Sequence, residues 1–133
     1  MNNDWQSDFA GDASLFPHLA DLQKDQVLLS TMSEAAFRQA SFLDQRLFTP
    51  DLQRQVASWA DVASVPLSPL AKPQYIFHIG HVGSTLISRL LGELDSVLAL
   101  REPAILRQLA DVRVTMPAEI GWTDEEQTER LDQ

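Results

Sequence analysis

The feature that most constrains this chain is a β-type run that ends in a glycine turn and opens directly into an apolar helix. Tyr75-Ile76-Phe77-His78-Ile79-Gly80 is dominated by aromatic and β-branched residues, and a glycine stops it. Its near-continuous apolar character predicts a buried parallel strand rather than an edge strand. Gly80-His81-Val82-Gly83-Ser84-Thr85 then reads as a loop. A helix follows over 84–93, with Leu86, Ile87, Leu90, Leu91 and Leu94 on its buried side. A loop of this kind is an anion site by construction. The first N–H groups of a helix have no internal partner, and the helix dipole adds positive potential there. Gly83 admits close approach of the backbone, while Ser84 and Thr85 add hydroxyl donors.

Val97-Leu98-Ala99-Leu100 reads as a second buried strand, ending at Arg101-Glu102-Pro103. Pro103 starts a helix through about residue 110. Strand, helix and strand make a βαβ unit with a right-handed crossover. Val112–Met116 is a weaker third strand candidate. A doubly wound sheet needs about five strands, so this sheet is expected to be incomplete. Thr123 and Glu126 have the spacing of a capping box at the start of a polar, acidic helix.

The part before the strand reads as helical. Residues 1–14 form a polar tail. Pro17 opens a short helix through about Lys24, and Val27-Leu28-Leu29 is ambiguous between strand and helix. Thr31 and Glu34 form a capping box for a helix through about Phe48, with Phe37, Ala40, Leu43 and Leu47 at helical spacing. Thr49-Pro50 starts another helix, with Leu52, Val56 and Trp59 on one face. Residues 62–73 carry Pro66, Pro69 and Pro73 and form an extended connector. The expected division is a mainly helical extension with its connector over 1–73 and the βαβ unit over 74–133.

Composition narrows the function classes. The formal net charge is −9, which argues against a broad nucleic-acid surface. Between Gly80 and Arg113 the charges cancel, so an anion meets least repulsion there. Cysteine is absent, which excludes disulfides and thiolate metal sites and fits a reducing cytoplasm. No secretory signal and no run of membrane-spanning length is visible, so no membrane partner is expected. No metal site is expected either.

The loop departs from the Walker A pattern. With Gly83 as its second glycine, Ser84 stands where the lysine belongs and His78 where the first glycine belongs. A divergent nucleotide-dependent kinase is therefore the weaker enzyme reading. His81-Val82-Gly83-Ser84-Thr85 instead resembles the loop of P-loop sulfotransferases, [KR]-x-G-[ST]-[ST], which binds the 5′-phosphosulfate of PAPS. The Leu86-Ile87-Ser88-Arg89-Leu90-Leu91 helix and the Leu100-Arg101-Glu102-Pro103 segment resemble that superfamily too, and the likeness covers about residues 74–111. Phe42-Leu43-Asp44-Gln45-Arg46 is similar less specifically.

The resemblance implies an α/β fold: a P-loop-type parallel sheet, here incomplete, with a helical N-terminal extension. It implies PAPS as cofactor, cradled by Gly80, His81, Val82, Gly83, Ser84 and Thr85. It implies transfer of a sulfuryl group to a hydroxyl or amine acceptor. His81 replaces the family's Lys or Arg and would assist the leaving group. Glu102, at the carboxyl edge of the second strand, would be the base on the acceptor. The family's 3′-phosphate element has no counterpart before residue 133, so weak or no turnover is expected of these residues alone. A third reading is a non-catalytic interaction module that self-associates through an uncovered sheet edge. By simpler readings His78 is a hydrogen-bonded core histidine, Arg89 a solvated or ion-paired helix residue, and Trp59 with Phe37, Phe42 and Phe48 are core.

Overall fold

The computed structural model describes residues 4–11, 13–66, 73–80, 82–115, 123 and 125. Its centre is an antiparallel sheet of three strands, β1 (Leu15–Asp21), β2 (Gln26–Thr31) and β3 (Arg54–Ser58), in the order β1-β2-β3. The helices are α1 (Asp4–Gly11), α2 (Glu34–Gln39), α3 (Trp59–Ala63), α4 (Ser84–Leu91) and α5 (Ala104–Thr115), and a 3-10 turn spans Gln45–Leu47. The chain is thus mixed α/β, but not with the sheet the sequence predicts. The described residues contain no parallel ladder. The paired strands lie in the segment expected to be helical, while 75–79 and 97–100 form neither helix nor paired strand.

Long-range pairing overrides the local signals. Pro17 does not open a helix but lies in edge strand β1, where its missing N–H costs no ladder bond. The register slips between Pro17, opposite Leu29, and Leu19, opposite Leu28, so His18 is the extra residue of a bulge. The bulge turns His18 fully inward. Val27 and Leu29, ambiguous in sequence, are fully buried on the central strand. The expected helix through 52, 56 and 59 is instead β3, paired to β2 from Arg54 opposite Ser30 to Ser58 opposite Gln26. Val56 is half exposed there, so its helical spacing was coincidental.

Each face of the sheet carries a core. On one, Leu15, Val27, Leu29, Ala57 and Ile105 pack with Trp5, Phe9, Trp59 and Leu109 of the helices. On the other, Phe16, Met32, Phe37, Ala40 and Leu43 pack together. Neighbours Leu15 and Phe16 point to opposite cores, as strand alternation requires. The outer edge of β1 is held by α5. Ala20 N–H donates to Gln108 Oε1 (3.0 Å), and Gln108 Nε2 donates to Ala20 O (3.1 Å), so one side-chain amide stands in for a missing strand.

α2 starts two residues later than the predicted box places it. Ser33 is the N-cap and accepts from Ala36 N–H. The helix stops at Gln39 rather than near Phe48. What stops it is Arg101, which is buried and donates to the carbonyls of Phe37 (2.7 Å), Arg38 (2.8 Å) and Ala40. α5 begins directly after Pro103, as expected, but runs on to Thr115. Val112 is a buried helical residue of it rather than part of a strand.

Candidate functional site

α4 begins at Ser84, where the sequence places it. Gly83 is its N-cap, with φ 84° and no side-chain cap on the helix. That left-handed conformation is costly for any residue with a Cβ, and glycine adopts it freely. A Cβ built at Gly83 or at Gly80 meets nothing within 4 Å, so the loop surface is open. The first intrahelical bonds run from Leu86 and Ile87 N–H to Gly83 O (3.0 and 3.1 Å). The N–H groups of Ser84 and Thr85 precede them and have no acceptor within the helix. Val82 and Thr85 are exposed and Ser84 is half-buried. His81 lies outside the described residues.

Glu102 sits in the turn before α5, with φ 44°. A left-handed glutamate is uncommon and strained, more so ahead of a proline. Its Oε1 lies 3.9 Å from His78 Nε2. His78 is therefore no core histidine. It occupies the exposed segment that feeds the loop, and its Nδ1 contacts the Ile79 carbonyl at 3.3 Å. No local signal pairs residues 78 and 102, which lie on separate predicted strands.

The Phe42–Arg46 and Leu100–Pro103 segments are joined directly. Leu43 N–H donates to Arg101 O and Ala104 N–H to Leu43 O, both at 2.9 Å. The Asp44 carboxylate is the main influence favouring the Arg46 guanidinium charge, with Glu102 a minor one. Arg46 is held by Asp44 at 2.6 Å and lies over the Phe42 ring, 3.8 Å from its centroid. The same bonds hold the Asp44 carboxyl at about 2, below the usual carboxylate value. The sequence reading missed the Asp44–Arg46 ion pair; the position of both residues inside the Phe42–Arg46 segment was the available signal.

The five apolar residues expected on the buried side of α4 are exposed. Most large apolar side chains that remain exposed among the described residues fall between Tyr75 and Leu100, with Phe77 at 91% and Ile79 at 81%. Among the described residues no cluster of His, Asp and Glu has a metal-ligand arrangement, and no helix is long and apolar enough to cross a membrane. Comparison of the chain with family models, curated proteins and solved structures finds no match in any of the three.

Proposed function

We propose that the chain carries the 5′-phosphosulfate-binding element of a PAPS-dependent sulfotransferase-like protein, acting in the cytoplasm on a hydroxyl or amine acceptor. The observation that carries this reading is the start of α4: a left-handed Gly83, no side-chain cap, and two hydroxyl residues whose N–H groups lack helical acceptors. An anion there gains several short donors and the helix dipole. The strained Glu102 beside His78 supports an acceptor-side role. A carboxylate takes a proton as the acceptor attacks sulfur, and a nearby cation offsets the charge that develops. In this reading Glu102 is the base and His81 assists the leaving phosphosulfate oxygen. The parallel sheet implied by the resemblance would require the 75–79 and 97–100 segments to pair.

Calorimetric titration with adenosine 3′,5′-bisphosphate and with ATP–Mg²⁺ tests this. The bisphosphate is expected to bind at least about tenfold more tightly, a difference of about 1.4 kcal/mol. Tighter binding of ATP–Mg²⁺ would favour the divergent-kinase reading instead.

A second reading rests on the apolar surface between Tyr75 and Leu100. Exposed apolar patches of this extent mark contact surfaces. We propose that two copies of the chain associate through it. Sedimentation velocity should show a species of twice the monomer mass growing with concentration, and Phe77→Lys should suppress it. A monomer at every concentration would contradict this.

A further inference from the structure

We propose that the cavity between α2, the C-terminal end of α4 and the 97–101 segment is a binding site for a small organic anion with an apolar body. The cavity measures about 330 Å³, at the low end for ligand pockets. Its wall mixes Arg38, Arg89, Arg101, Glu34 and Glu93 with the apolar surface of Phe37, Val97, Leu98 and Ala99. It lies at the opposite end of α4 from Gly83 and shares no residue with the loop.

The charges in this wall do not balance locally. Arg38 takes both acids: Glu34 at 2.7 Å and Glu93 at 4.0 Å. Arg89 has no ion pair or hydrogen bond among the described residues. Arg101 spends its Nε and Nη2 on the carbonyls that end α2, and its Nη1 has no partner among the described residues. Arg89 and Arg101, neither paired with a carboxylate among the described residues, thus both line one cavity, and the Arg89 charge works against that of Arg101. An oxyanion between them would be met by planar, charge-assisted donors, the geometry guanidinium supplies best. Arg101 is fixed in place by its backbone bonds, so little ordering cost remains on that side. The apolar surface sets the rest of the ligand. A bare inorganic ion would leave Val97, Leu98 and Phe37 uncovered, whereas a short hydrocarbon tail covers them.

The test is calorimetry on the full 133-residue chain with sodium hexanoate as probe. Sodium acetate has the same headgroup without the tail, and 1-hexanol the tail without the charge. Hexanoate should bind saturably at one site and more tightly than acetate, with no saturable heat from hexanol. Arg89→Gln, on an exposed helix position, should weaken hexanoate by at least about tenfold. Lys24→Gln, which removes the same charge at the distant β1–β2 turn, should leave it unchanged. Circular dichroism confirms that both variants keep the fold. No saturable hexanoate binding, equal affinities for wild type and Arg89→Gln, or equal binding of hexanol would overturn the proposal.

Discussion

Arg101→Ala is expected to cost about 3 kcal/mol or more, a large share of the stability of a domain this size. Arg101 is 7% exposed and has no acidic partner among the described residues, so its charge is compensated by carbonyl dipoles instead. The carbonyls of Phe37, Arg38 and Ala40 are those a short helix leaves open at its C-terminal end. Burial alone works against this guanidinium's charge, and Arg89 adds to that. Removing the side chain leaves three carbonyls short of donors beneath the Phe16–Phe37–Leu43 core. It also removes what turns the chain from α2 into the 3-10 turn. Urea unfolding should show a midpoint lower by on the order of 2 M. Arg101→Lys should recover little, because one ammonium cannot span three divergent carbonyls as a planar fork does. A shift below about 0.5 M for Arg101→Ala would show that α2 ends for another reason.

The second large effect is a loss of stability on mild acidification, governed by His18. The β1 bulge buries this ring between Phe16 and Phe48, with centroids 5.5 and 4.7 Å away. Nε2 lies 3.0 Å from the Asp44 carbonyl, so it carries the proton and donates. Nδ1 then accepts from the Ser30 hydroxyl at 3.0 Å. The neutral ring is fully satisfied. Burial is the main influence and lowers its pKa below 6.5; Arg54 works in the same direction, while the Asp44 carbonyl and carboxylate partly oppose. A histidine with a depressed folded pKa contributes fully above the unfolded value. Its contribution falls as pH drops, because the unfolded chain protonates first. Stability should therefore hold above about pH 7 and fall by up to about 1.4 kcal/mol per unit below 6.5, levelling once the folded ring protonates. Asp44 does not confuse the result, since its window lies between its ordinary value of 3.8 and about 2. Unfolding measured at pH 7.5 and 5.5 should show the loss in wild type and a nearly flat response in His18→Gln. Equal slopes in both proteins would contradict this assignment.

These two residues also show what the sequence could and could not reveal. The start of α4 was legible because a Gly-Ser-Thr turn before an apolar helix is a local signal. The start of α5 was legible because proline marks it. His18 and Arg101 act through partners far along the chain: Asp44 for one, Phe37 to Ala40 for the other. Pro17 and the 52–59 spacing suggested helices, yet pairing with β2 decided those segments. A three-stranded antiparallel sheet depends on which runs meet, and no local period encodes that. The same limit applies to the candidate site. The loop was readable as a motif, whereas the approach of His78 to Glu102, 24 positions along the chain, carries no local signal.

The central claim is that the amides opening α4 receive a phosphate or phosphosulfate. Amide chemical shifts of the isotope-labelled chain, followed during addition of adenosine 3′,5′-bisphosphate, test it most directly. The largest movements are expected at Ser84 and Thr85. Gly83→Asp should abolish them, since a Cβ strains the left-handed backbone at this position and a carboxylate beside the amides repels the phosphate. Movements confined to other residues, or none at saturating bisphosphate, would contradict it.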